Sequence, residues 1–148
     1  MYSDWGINAI VVAATVAVVS LCVLLHYEAL LWLSSHLKRL AGRRRRRVLV
    51  GVKPQVLIHG LEIWLFGLAR YYLAALPGAG GIAGMLNPML LDMVYLSATT
   101  YTTLGFGDVA PIGPLRFLIG TESLLGLLLI GWSASFTYIE MEAFWRTR

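Results

Sequence analysis

Residues 102–108 read Thr-Thr-Leu-Gly-Phe-Gly-Asp, and the chemistry they offer lies in the backbone. Glycines at 105 and 107 alternate with other residues, and glycine tolerates positive φ. Such alternation allows successive carbonyls to point the same way. A row of carbonyls lining a passage can replace the water shell of a dehydrated cation. Irregular backbone of this kind survives at membrane depth only where protein buries it or water meets it.

The rest of the chain must hold that run in place. The chain has 148 residues, 58% hydrophobic and only 14% charged, with mean hydropathy +0.72. A soluble domain carries roughly a quarter charged residues, so these charges are too few to coat one. The same numbers exclude a disordered chain, and the single cysteine, Cys22, excludes a disulfide scaffold. A membrane protein remains. Crossing the hydrocarbon core takes about 20 mostly apolar residues, and residues 5–27, 56–76 and 114–139 reach that length. Residues 85–104 are too broken for a fourth crossing and suit a re-entrant segment. Asn87 is a good N-cap and Pro88 suits the first helical position, which predicts a short helix over 88–101 and an extended run over 102–107.

Charge sets the expected orientation. Eight of the 12 Lys and Arg (Lys38, Arg39, Arg43 to Arg47, Lys53) lie between the first two crossings, and Arg146 and Arg148 follow the third. Cytoplasmic loops retain positive charge. The expectation is a multi-pass protein of the plasma or inner membrane, with the N-terminus outside and the C-terminus cytoplasmic. The first crossing is not a cleavable signal peptide, since its start carries an acid and no base. The arginine run reads as a topology anchor that can also bind anionic headgroups through Arg43, Arg44, Arg45, Arg46 and Arg47. Nucleic acid is not an expected partner.

With motif and context together, the sequence resembles the potassium-channel pore family. Residues 102–108 look like that family's Thr-Thr-Val-Gly-Tyr-Gly-Asp, the standard example of carbonyl coordination of an ion, and the resemblance spans roughly residues 56–138. It implies an all-α membrane protein of three transmembrane helices with a re-entrant pore helix and filter loop. The implied domains are an extra N-terminal helix (1–37), a basic cytoplasmic loop (38–53) and a pore domain (54–148). The pore domain divides into outer helix 54–76, pore helix 88–101, filter 102–108 and inner helix 114–141. K+ would bind at the carbonyls of Thr103, Leu104, Gly105 and Phe106 and the Thr103 hydroxyl, with Gly107 completing the run. Thr102, Asp108, Tyr95 and Thr99 would support the filter. One chain supplies one loop and the family's filter uses four, which implies a homotetramer. Phe106 stands where the family most often has Tyr, Leu104 where it has Val, and Leu96 where an aromatic residue is common.

In that family the inner helix carries a glycine that lets it bend. Gly126 and Gly131 are candidates, with close packing the competing role for Gly126. Ser123, Leu127 and Ile130 share a helical stripe with Gly126 and are expected to line a cavity. Ser133, Ser135 and Thr137 lie lower, where a cytoplasmic-side gate would close. Glu62, Arg70 and Glu122 lie well inside the crossings, where charge is costly and must face protein or water. At 1.5 Å per residue Arg70 lies about 9 Å, and Glu122 about 12 Å, below the outer ends of their helices. Matching depths point to an Arg70–Glu122 pair, with Arg116 the competing partner. Glu62 and His59 are expected to reach toward interfacial water. His26 and His36 are expected at the interface, without metal-ligand spacing, and Cys22 in packing.

The reading is a potassium-selective channel that conducts passively, binds no organic cofactor and is not an enzyme. A weakly selective cation channel and a non-conducting accessory subunit are the alternatives. A remote one is an intramembrane aspartyl protease, since Gly105-Phe106-Gly107-Asp108 also fits a Gly-x-Gly-Asp motif. That chemistry needs a second carboxylate sharing a proton, and Asp92 is the other aspartate near the segment.

Overall fold

The computed structural model describes residues 4–39, 44–85 and 87–145. Among the described residues four helices follow one another: α1 (Trp5–Arg39), α2 (Arg44–Ala74), the short α3 (Leu90–Tyr101) and α4 (Leu115–Trp145). Helix α1, residues Val48–Ala74 of α2 and residues Leu115–Glu142 of α4 are long and apolar enough to cross a membrane. A crossing helix satisfies its own amides where lipid offers them no partner, and many apolar side chains, among them Leu24, Leu57 and Leu128, lie exposed on its surface. The 12 residues of α3 rise about 18 Å, short of the roughly 30 Å hydrocarbon core. The chain is an all-α membrane protein with three crossings, and α3 packs between α2 and α4.

Three features differ from the sequence expectation. The basic stretch expected as a loop over 38–53 is largely helical, with α1 ending at Arg39 and α2 starting at Arg44. Arginine is a good helix former, and Gly51 is buried against Leu37 and Met141. Pro54 therefore lies inside α2, where its missing N–H removes one helical hydrogen bond, rather than at the start of the outer helix. Helix α3 begins at 90, not 88. Its N-cap is Met89, with φ −86° and ψ 170°, and the Met89 N–H donates to Asp92 Oδ2 at 2.7 Å. Asn87 has φ +55°, outside the extended region an N-cap uses.

The third difference is a two-stranded antiparallel ribbon around α3. Strand β1 (Gly81–Ala83) pairs with β2 (Ala110–Ile112) through Gly81↔Ile112, Ile82↔Pro111 and Ala83↔Ala110. The Leu115 N–H donates to the Ala79 carbonyl at 3.1 Å and continues the clasp into α4.

The main core gathers Ile7, Val11 and Cys22 of α1 with Phe66 and Leu73 of α2, Tyr101 of α3, and Leu118 and Leu125 of α4. Helix α1 packs on both α2 and α4 of its own chain. Gly126 marks a close approach of α4 to α3. A Cβ there would collide with the Tyr101 carbonyl oxygen and lie 3.0 Å from Tyr101 Cα, whereas one at Gly131 would meet nothing within 4 Å. Gly126→Ala is expected to cost about 1–3 kcal/mol by overpacking. Gly131→Ala should be neutral or stabilising by up to about 1 kcal/mol, since alanine is the better helix former. Thermal unfolding of both purified variants beside wild type checks the contrast.

Candidate functional site

The run after α3 does not continue as a helix because its backbone alternates in handedness. Thr103, Gly105 and Gly107 have φ of +58°, +48° and +78°, while Leu104 and Phe106 between them are not in the positive-φ region. Alternation of this kind brings successive peptide dipoles to one side of the chain. Glycine adopts it freely; a β-branched residue such as Thr103 does so only under strain. The strain is held by the end of α3: the Thr103 N–H donates to the Thr100 carbonyl at 2.9 Å, and the Gly105 N–H to the Thr99 carbonyl at 3.1 Å. Thr99 thus holds the run through its backbone, while its hydroxyl donates to the Leu96 carbonyl at 3.1 Å. The Thr102 hydroxyl donates to the Ala98 carbonyl at 2.7 Å and closes the last turn.

The far end of the run is braced by Tyr95. Its ring stacks on Phe106, with centroids 6.5 Å apart and planes 5° from parallel. Its hydroxyl donates to Asp108 Oδ2 at 2.9 Å. Asp92 caps α3 and Asp108 is held by Tyr95, so each of the two aspartates is engaged in its own structural contact. Leu96 is buried beside Met93 and Ile82.

Behind α3, Arg70 and Glu122 meet in full burial. Arg70 Nη2 donates to Glu122 Oε2, and Nη1 to the Met93 carbonyl at 3.0 Å. The Ser97 hydroxyl lies within reach of both the other Glu122 oxygen and the Ile63 carbonyl. One ion pair thereby joins α2, α3 and α4. Arg116 is exposed and takes no part.

Other residues lie elsewhere than expected. His26 and Glu62 are fully buried and 3.0 Å apart, not at an interface. His59, 18% exposed, lies 3.2 Å from Glu62 on the same helix. Nothing in the sequence spacing places His26 beside them, because it comes from another helix; the His59–Glu62 interval of three was the only legible half. Ser133 bonds to both histidines, and Thr137 exchanges hydrogen bonds with Gln55 at 2.8 and 3.0 Å. Both therefore turn toward α1 and α2 rather than toward a gate. Arg46 is exposed, whereas Arg43, Arg146 and Arg148 lie outside the described residues.

Removing one member of a buried ion pair costs about 3–5 kcal/mol, while replacing both with apolar residues is often neutral. Glu122→Gln and Arg70→Gln are each expected to lose that much. The double variant Arg70→Met/Glu122→Leu should recover most of it. The denaturation midpoint of the purified proteins, with the yield of folded protein, checks the pattern.

A family model described as "Ion channel" matches residues 58–143, from α2 to α4. The chain is 33% identical over 82 residues to Protein LctB of Geobacillus stearothermophilus, covering 50% of this chain and 61% of that relative. It thus spans about three fifths of that relative's length. No solved structure matches the chain. The chain belongs to the ion-channel pore family, with three membrane-crossing helices and the strained glycine run held against the end of α3.

Proposed function

We propose that four copies of this chain surround a central pore and conduct K+ passively, selecting it with the carbonyls of Thr103, Leu104, Gly105 and Phe106 and the Thr103 hydroxyl. The observation that carries this reading is the alternating backbone handedness over 103–107, anchored at both ends by α3. Carbonyl dipoles replace the hydration shell of a cation when they surround it, and one chain supplies one side of such a ring. Leu104 and Phe106 are 61% and 65% exposed in the single chain. Large apolar side chains displayed together mark a surface that a partner covers, here the neighbouring subunit. The C-terminal end of α3 carries about half a negative charge and favours a cation below the filter.

The rigidity that selectivity needs is supported by Tyr95. Phe106 has no hydroxyl to tether, yet it stacks on Tyr95, whose own hydroxyl holds Asp108. The brace that Phe106 cannot supply thus comes from the helix. Gly126 is a candidate hinge as well as a packing residue: bending α4 there would pull it off the Tyr101 carbonyl and so couple the inner helix to the filter. Gly131 is the second candidate. The excess of basic residues between the first two crossings supports an N-terminus outside and a C-terminus in the cytoplasm. In that orientation the basic run of Arg43, Arg44, Arg45, Arg46 and Arg47 is on the cytoplasmic side, where anionic headgroups add about 1 kcal/mol per basic residue.

Planar bilayer recordings under opposed K+ and Na+ gradients test the reading. The expected reversal potential lies near the K+ equilibrium value; robust current reversing near zero would establish a weakly selective cation pore instead. Gly105→Ala forces an alanine into a left-handed conformation at about 1–2 kcal/mol, with no clash inside the chain. It should abolish K+ selectivity while the protein still elutes at four times the mass of the 16.3-kDa chain. Tyr95→Phe is expected to keep the stack but release Asp108, lowering the K+/Na+ permeability ratio without loss of assembly.

A further inference from the structure

The conduction pathway leaves unused a polar cluster at the inner end of α3. His26 comes from α1, His59 and Glu62 from α2, Tyr101 from the last turn of α3 and Ser133 from α4. His26 Nδ1 lies 3.0 Å from Glu62 Oε1, and His59 Nδ1 lies 3.2 Å from Oε2. The Tyr101 hydroxyl is 2.5 Å from Oε2 and 2.8 Å from His59 Nδ1. On the far side both rings aim Nε2 at Ser133 Oγ, at 3.0 Å from His59 and 3.3 Å from His26. His26, Glu62 and Tyr101 are fully buried. Glu62 has ion-pair contacts only with the two imidazoles among the described residues, and a buried carboxylate without a cation is costly.

Protons are too few for these contacts. Six close polar contacts join the five side chains. With neutral histidines and an ionised glutamate, each ring, the serine and the tyrosine supply one proton, so two contacts have no proton of their own. If both Nδ1 atoms donate to Glu62, both Nε2 lone pairs compete for the single Ser133 proton. If both Nε2 atoms donate to Ser133, the two Nδ1 lone pairs face a carboxylate; in a mixed pair Ser133 accepts from one ring and donates to the other, and one Nδ1 lone pair still faces it. A cation among the Nδ1 and carboxylate atoms resolves the second arrangement: it takes those lone pairs, and both Nε2–H groups donate to the serine oxygen.

We propose that His26, His59 and Glu62 form a buried site for a divalent transition-metal ion of the zinc class. Two imidazoles and a carboxylate are a donor set such ions take, leaving a fourth position open; here that position lies beside the Tyr101 hydroxyl. The three ligand atoms lie within 4.8 Å of one another. The contacts of 3.0 and 3.2 Å approach the about 3.3 Å between ligands around a tetrahedral ion with bonds of about 2.0–2.1 Å. Ser133 is the outer acceptor that fixes both ring tautomers, and partly exposed His59 gives an entry path. Occupancy ties α1 to the pore domain next to Tyr101, whose chain neighbour Thr102 begins the filter run.

The test is binding, read without current, so its failure and failure of the channel reading are separate results. The 148-residue chain, purified in detergent and stripped with a chelator, is titrated with Zn2+ by calorimetry. Bound metal is counted by emission spectrometry after gel filtration. One ion per chain is expected. Ser133→Ala should weaken affinity about 10–100-fold, as loss of an outer partner does, and Glu62→Gln and His26→Ala should weaken it by at least as much. His36→Ala, at an exposed histidine, should leave binding unchanged. Wild type that takes up no Zn2+, or whose uptake survives Glu62→Gln and His26→Ala, overturns the site. Imidazole NMR showing one extra proton on the wild-type pair, undisplaced by Zn2+, overturns it in favour of a proton-filled cluster.

Discussion

A charge pair sealed among three helices sets the terms for what surrounds it. Arg70 and Glu122 have no exposed surface, and either alone would be costly at that depth. Holding them together places α2 and α4 at one depth. It also recruits the Met93 carbonyl and the Ser97 hydroxyl from α3. With its middle fixed in this way, α3 delivers its last residue, Tyr101, against Gly126, and the glycine run starts from a fixed point. The pair is not fully satisfied, since Arg70 Nε is buried without a hydrogen-bond partner. A buried pair of this kind is better evidence for positional specificity than for raw stability.

The same principle repeats along the bundle. Lipid tails are as apolar as leucine, so helices in a membrane gain little from burying apolar faces against one another; close packing and polar contacts decide their arrangement. Below the Arg70–Glu122 pair, the histidine cluster joins all four helices. Further toward the ends, Gln55 meets Thr137, and the Ser34 hydroxyl donates to Glu140 at 2.8 Å. All four of these tiers involve α4, and α1 enters through His26 and Ser34. The first helix is therefore built into the same bundle as the pore elements of its own chain.

Much of this architecture was legible in the sequence for physical reasons. Crossing segments announce themselves by length and apolarity, and the re-entrant helix by its interruption and its glycine run. The matched depths of Arg70 and Glu122 follow from helical rise alone. What stayed hidden depends on side chains meeting from distant parts of the chain. His26 reads as interfacial because the apolar run ends beside it, whereas the helix continues to Arg39. The role of Tyr95 depends on ring geometry that residue identity does not specify. Asn87 loses the cap of α3 to Met89 because Asp92 supplies the acceptor from inside the helix. Three-residue strands are too short to carry a period-two pattern, so the ribbon left no signal.

That ribbon changes how the segment carrying the glycine run is connected to the rest of the molecule. Ala83 pairs with Ala110, so the chain leaves the clasp and returns to it at the same rung. Everything between, from the helix cap to Asp108, is a loop with its two ends already tied. Much of the entropy of closing such a loop is met locally, independently of the long helices. Residues 84–109 thus form a loop closed at its own base: the ribbon keeps its entry and exit points in register, while the bonds of α3 to Arg70 and Glu122 decide how the closed loop sits between the crossing helices.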